Sequence, residues 1–366
     1  MTQTTQLFQE RMKRINEVYA KKIPDRVPII SMSETWHMHY AKADMRKAFT
    51  EDLESYFKAY EVFYRDFYFD GQHSLGNVCP VNMLNKLGGG TYVMTENGLQ
   101  VMGSKNEVMK PEDYAALIED PIRFVATQIL PRKFEIFEKD PDEIYETVTQ
   151  SLDEYGKFGA LNGGLVQRVI KELGMPFLSA ACCNVTADIM LDYLRDFVGT
   201  VNDIRRHSQK FLEACDALFE WSLELNLASY PQPREGVAVM SPLHLATYLK
   251  PRDFEKFYLP YLNKMVGAFT QRGYNMLLFM ENDWTPYLEM LQSMPDGKIA
   301  GIFEHGDLKT IKESVGNKMV LIGGMPTNVL NYATKAQCID HAKKVVDELA
   351  PGGNYMFAVD RALLAY

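Results

Sequence analysis

Two carboxylates and a small group of imidazoles stand where this sequence could do chemistry. Glu281 and Glu304 each close a short apolar run, Met276–Met280 and Ile299–Phe303, and the turn Gly323-Gly-Met-Pro326 closes a third, Met319–Ile322. Carboxylates so placed can act as general acids and bases or as metal ligands. Acidic residues also cap helices at such points, favoured by the helix dipole. His37 and His39 lie in the run Glu34-Thr-Trp-His-Met-His-Tyr40. If that run is extended, both rings project to one side, where they can hold Zn²⁺ or Co²⁺ or bind an acidic substrate. His244 follows the apolar run 236–241, and Asp360 ends the last one with Arg361 beside it as an ion-pair partner. Trp36, Tyr40 and Trp284 are candidates for an apolar substrate wall. Gly88-Gly-Gly90 lacks the strand–GxGxxG–helix setting of a phosphate loop, and no GxSxG or HExxH motif occurs.

The elements that must position these groups follow from the same runs. Short apolar stretches bounded by turn residues, with helix-length segments between them, read as parallel strands in βαβ units. Strands are expected at 25–33, 67–70, 158–165, 236–241, 276–280, 299–303, 319–322 and 355–360, with helices filling 166–228. About eight strands with intervening helices predict a (β/α)8 TIM barrel, whose carboxyl edge gathers functional side chains. An N-terminal helical extension, residues 1–24, is expected from apolar positions Leu7, Met12, Ile15 and Val18, ending before Pro24. Thr91–Val108 reads as a hairpin turning at Glu96-Asn-Gly98, within a rim excursion over 85–110. With no repeat, linker or low-complexity run, residues 1–366 are expected to form a single domain.

The chain of 366 residues is 46% hydrophobic and carries a formal charge of -9. That acidity argues against a nucleic-acid surface, which needs clustered Lys and Arg. No apolar run approaches the roughly 20 residues that cross a bilayer. The polar N-terminus lacks a signal-peptide core, and five cysteines without CxxC spacing suggest reduced thiols; the expected compartment is the cytoplasm.

Four loose motifs then carry a likeness: Pro24-Asp-Arg-Val-Pro28, Asp196-Phe-Val-Gly199 with Asp203-Ile-Arg-Arg206, Phe254-Glu-Lys-Phe-Tyr-Leu-Pro260, and the Gly323-Gly-Met-Pro turn. In order and spacing the chain resembles the uroporphyrinogen decarboxylase superfamily, which implies a (β/α)8 barrel. True decarboxylases of that superfamily bind the substrate's carboxylates through an arginine-rich N-terminal segment. Here the same place reads Ser31-Met-Ser-Glu-Thr-Trp-His-Met-His39, without arginine. The likeness therefore points to the corrinoid-dependent methyltransferase branch. It implies methyl transfer from a small methoxy or N-methyl substrate to the cobalt of a corrinoid (cobalamin) on a partner protein. The alternative is a decarboxylase acting on a tetrapyrrole or other carboxylate; a non-catalytic binding protein on the same barrel is a third reading, and a homodimer is compatible with each.

The resemblance also bears on metal. Members that methylate thiols bind zinc through His-x-Cys and a later Cys, where this chain has Phe279 and Glu281. Members of the O-demethylase type are similar to a pattern Glu-x14-Glu-x20-His. Glu289 and Glu304 meet its first half, but Met325 stands where the histidine would be. Thioether is a poor partner for zinc held by carboxylates, so a zinc site would have to recruit His305, His37 or His39 instead. On this reading Glu281, Glu304, His37 and His39 activate the substrate, while Trp36, Tyr40, His244, Trp284 and Asp360 surround it.

Overall fold

A computed structural model describes residues 2–77, 79–89, 92–95, 98–101 and 108–364. Its centre is a six-stranded parallel sheet in the order β10-β9-β8-β7-β6-β5. These strands are β5 (Ser179–Cys182), β6 (Ala238–Pro242), β7 (Asn275–Asp283), β8 (Ile299–His305), β9 (Val320–Met325) and β10 (Tyr355–Val359). Two short parallel strands, β1 (Ile30–Ser31) and β2 (Gly71–Gln72), form a second sheet. Parallel bridges tie this pair to both edges of the larger sheet, Ile29 to Phe357 beside β10 and Gln72 to Phe177 beside β5.

Period-2 alternation divides the strand side chains into two cores. Leu277, Ala300, Ile302, Val320, Ile322, Met356 and Ala358 pack on one face together with Ile30, Met32 and Leu178. Met276, Leu278, Met280, Leu321 and Tyr355 face the other way, into the layer of helices. The N-terminal helix Gln3–Tyr19, capped by the Thr2 side chain, adds Ile15, Val18 and Tyr19 to the first core. It lies against the amino ends of β2 and β6. A Cβ on Gly71 would meet Ile15, and one on Gly236 would meet Met12 and Asn16. Among the described residues no helix is long and apolar enough to cross a membrane.

The motifs that carry the likeness turn out to brace this frame. Asp70 is fully buried and accepts from Arg26 at 2.7 Å, from Arg14 at 3.2 Å and from the Ile29 amide at 2.9 Å. Arg195 and Asp203 pair at 2.6 Å in the interior, with Tyr114 donating to Asp203 and Met109 O accepting from Arg195. Breaking one partner of such a buried pair leaves a stranded charge.

Several expected elements are corrected. Residues 158–165 are not a strand but the middle of the helix Pro141–Leu173, where Leu161, Leu165 and Val169 recur every fourth residue against Tyr56 and Phe57. The strand sought there is β5, inside the stretch expected to be helical. Ser179-Ala-Ala-Cys182 has no apolar alternation, and its pairing to β6 comes from chain far away in sequence. β2 begins at Gly71, after the expected 67–70, since Phe67 caps the helix Leu53–Asp66. The hairpin is present as β3 (Tyr92–Thr95) and β4 (Gly98–Val101) in antiparallel register, while residues 96 and 97 of its expected turn lie outside the described residues.

Candidate active site

The carboxyl ends of the parallel strands assemble an ionic cluster around His244. β6 ends at Pro242, so His244 leaves the sheet at its carboxyl edge. Its Nδ1 lies 2.8 Å from Asp192 Oδ2 and its Nε2 3.3 Å from Glu281 Oε1. Burial is the largest influence on the ring and opposes its charge. The hydrogen bonds and charges of Asp192 and Glu281 outweigh it and raise His244 to about 11. The imidazolium is therefore permanent at neutral pH, with one carboxylate on each nitrogen.

Each member is held by the local fold. Glu281 sits where β7 bulges between Met280 and Asp283, which turns its side chain out of strict alternation. Trp284 Nε1 donates to Glu281 O at 2.9 Å and locks the backbone behind it. Asp192 projects from a π-helical turn, Met190–Arg195, and also accepts from Asn184 Nδ2 at 3.4 Å. Asp188, on the preceding turn, is fully buried and receives the Leu245 amide at 2.8 Å and Tyr258 OH at 2.6 Å. This fixes the backbone next to His244, and it explains Tyr258 within the Phe254–Pro260 motif. Burial raises the Asp188 carboxyl to about 7.

Two further carboxyl groups border the same edge. Glu304, near the end of β8, accepts the Asn282 amide at 2.8 Å and faces Arg361 at 3.4 Å. Asn282 adopts φ 61°, a left-handed conformation that asparagine tolerates, to present that amide. Glu34 follows β1. Its carboxyl makes no hydrogen bond or ion pair among the described residues, and burial raises it to about 7. Tyr92 of the hairpin feels the charges of both Asp192 and Glu34, so the hairpin borders this edge from the β1 side. Cys182, at the end of β5, is a free thiol accessible to solvent. Beyond Glu304, a hollow of about 560 Å³ runs past Gly306, Gly324, Pro326, Asp360 and Arg361.

Several expected site residues lie elsewhere. The run after β1 is not extended: Trp36–Tyr40 is a helical turn, which separates residues two apart by about 200°. His37 is fully buried, stacked on Tyr60 with ring centroids 4.1 Å apart, and bonded to Ser33 Oγ at 3.1 Å. Burial and the charge of His39 lower its pKa to about 3, so it is neutral and cannot donate as an acid. His39 is half-buried, and its Nε2 has no hydrogen-bond partner among the described residues. Trp36 packs on Phe63 and Phe67, and Tyr40 donates to Asp66; both serve an aromatic layer around the helix Leu53–Asp66. Trp284 is entirely enclosed by Phe254 and Tyr287, a brace for Glu281 and not a substrate wall. Asp360, by contrast, stays at the edge: it caps the Thr327 amide at 3.1 Å, lies 3.7 Å from Arg361 and lines the hollow beyond Glu304.

The expected metal set does not form a site. Glu289 is exposed, Met325 is buried, and Glu304 is engaged by Arg361 and an amide. Among the described residues, no group of three or more His, Cys, Asp or Glu side chains is placed to hold a metal ion. Sequence reasoning brought His244 and Glu281 forward but missed Asp192 and Glu34. Asp192 sits within helical periodicity and carries no local mark; Glu34 was passed over for the histidines beside it.

Comparison with known proteins bears on this site. The family model for uroporphyrinogen decarboxylase (URO-D) matches residues 164–361, the segment that holds every member of the cluster except Glu34. Uroporphyrinogen decarboxylases of Geobacter metallireducens and Geobacter sulfurreducens are 29% and 28% identical over 116 residues. That stretch is 32% of this chain, and it spans only 33% of the length of those relatives. A methyltransferase from Methanosarcina mazei has a similar fold, with a TM-score of 0.61 over 97% of this chain and 93% of its own, at 14% identity.

Proposed function

This chain belongs to the uroporphyrinogen decarboxylase family, and from that premise we propose a cytoplasmic enzyme that moves a methyl group from a small methoxy or N-methyl substrate to the cobalt of a corrinoid protein. We read residues 1–366 as one domain, a closed (β/α)8 barrel. The bridges from β1 to β10 and from β2 to the β5 edge support closure, since they leave neither edge of the six-stranded sheet unpaired. Five free cysteines fit a reducing compartment.

The observation that carries the activity is the Asp192–His244–Glu281 arrangement at the carboxyl edge of the sheet. When a methyl group leaves oxygen or nitrogen, the heteroatom must be relieved of developing charge and must gain a proton. The imidazolium of His244, with both N–H groups engaged by Asp192 and Glu281, holds these two carboxylates at a preorganised position beside the substrate. Glu34, protonated in part near neutrality, is the group with a proton to give. Glu281 and Asp192 keep His244 charged and oriented, and Glu304, pinned by Arg361 and the Asn282 amide, shapes the adjoining wall. The corrinoid, when bound, supplies the nucleophile that accepts the methyl group. The open hollow past Gly306 and Gly324 leaves the carboxyl edge approachable by a flat macrocycle. Zinc does not fit the residues expected to hold it, and no step is assigned to it.

Decarboxylation is the second reading, favoured by the names of the partial relatives. The charges at the edge oppose it. Asp192 and Glu281 leave a net negative charge around His244, a poor receptor for a substrate with many carboxylates, while Lys309, Lys344 and Arg361 lie in the adjoining hollow with Glu304 and Asp360. Incubating the protein with a cob(I)alamin carrier and a panel of methoxy-aromatics and methylamines separates the two. Methyl-cobalt formed with at least one donor supports methyl transfer. No methylation across the panel, together with consumption of uroporphyrinogen, overturns it.

A further inference from the structure

A second cavity, of about 450 Å³, lies behind the end of β5 and is not used by the mechanism above. Its walls are Ile129, Leu130, Phe134, Tyr193, Trp221 and Leu225, almost all apolar. Tyr193 and Leu225 remain about half exposed, an arrangement that leaves apolar surface in water. Two π-helical segments, Val125–Ile129 and Met190–Arg195, contribute to the lining. Such irregular turns give up regular backbone pairing and recur at functional sites.

One charged group lines this cavity. Lys133, at the end of the helix Leu130–Lys133, has its Nζ 5.9 Å from the centre of the Tyr193 ring. It forms no ion pair and no side-chain hydrogen bond among the described residues, and burial lowers its pKa. A half-buried ammonium without a counterion, set among aromatic rings, is unfavourable unless an anion joins it. The cavity also shares a wall with the catalytic cluster. Cys182, Cys183 and Asn184 line it, and Asn184 donates to the same Asp192 oxygen that holds His244.

We propose that this cavity takes the apolar body of the substrate, a hydrophobic and typically aromatic molecule bearing one anionic group that pairs with Lys133. The identification of that molecule as the substrate rests on the methyl-transfer reading; the binding site itself does not. The volume lies within the range of small-molecule pockets, and the combination of apolar walls with one placed charge gives orientation and selectivity.

Calorimetric titration of the intact protein with 3-phenylpropanoate and with its neutral amide tests this. The carboxylate should bind at least 10-fold more tightly than the amide. Lys133→Met should remove that preference while leaving amide binding within 2-fold and the melting temperature unchanged or raised. Binding should quench Trp221 fluorescence, and Trp221→Phe should abolish the quench. Absence of binding by both probes overturns the site, as does carboxylate binding that Lys133→Met leaves within 2-fold, or quenching that persists in Trp221→Phe. Binding here without methyl transfer from any methylated analogue would sink the enzymatic reading alone. Methyl transfer whose KM ignores Lys133→Met would sink this site alone.

Discussion

At the scale of single residues, His244 is defined by its two carboxylates. Its pKa stands above the ordinary 6.5, at about 11. The stability it adds is therefore fully present below pH 6.5 and declines as pH rises toward 11. Denaturation of the wild type and of His244→Asn should show a difference that narrows steadily from pH 6 to pH 10. The same substitution should lower kcat/KM for methyl transfer by roughly 10²-fold, the scale of displacing positioned groups by about 1 Å, since it releases Asp192 and Glu281 from the ring that orients them. Asp192→Asn removes a hydrogen bond and a charge from Nδ1. NMR titration of the His244 ring should then show its pKa moved down toward 6.5, and an unmoved value would mean Asp192 is not its partner in solution. His37 behaves oppositely. Replacing this enclosed, stacked ring by Ala empties a filled site and should destabilise the fold by about 3 kcal/mol in urea unfolding. The loss of activity would follow the loss of structure, not precede it.

At the scale of elements, the site depends on irregularities at strand and helix ends. The bulge in β7 aims Glu281, the left-handed Asn282 delivers an amide to Glu304, and a π-helical turn carries Asp192. These segments are held from behind by buried polar ties, among them the Tyr258–Asp188 hydrogen bond and the Arg195–Asp203 ion pair. Asp203→Ala removes the carboxylate that offsets the buried Arg195 charge and accepts from Tyr114 OH; it should lower stability by about 3–5 kcal/mol in chemical denaturation. Because Arg195 ends the turn that carries Asp192, the same variant should weaken the His244 cluster before the sheet itself is lost. The expected strand at 158–165 and the missed β5 share one cause. Glycine-rich Phe158–Leu165 looks extended residue by residue, yet its apolar positions repeat at helical spacing. Ser179–Cys182 has no periodic signal and becomes a strand only through β6 and the β2 side.

At the scale of the whole molecule, folding sets two carboxylates against one imidazolium around His244, a net negative spot in a chain whose formal charge is already -9. An anion with many carboxylates should be excluded there, while a neutral or singly charged methyl donor is admitted. Uroporphyrinogen consumption should stay undetectable under conditions in which methyl transfer proceeds, and robust consumption would refute the charge argument. Alternating apolar runs and turn residues were enough to expect parallel strands, most of their positions, and Glu281, Glu304 and His244 at strand ends, because period and punctuation are local properties. The partners of those groups were not local. Asp192 meets His244 across 52 residues, and the Tyr258 hydroxyl reaches Asp188 across 70. His37 and His39 failed as a pair for the same reason: a helical turn set against the aromatic residues of Leu53–Asp66 decided their directions, and nothing in their own spacing could. Chemistry that lives in one segment can be read along the chain, whereas charge pairing and burial depend on which distant segments the packed core brings together.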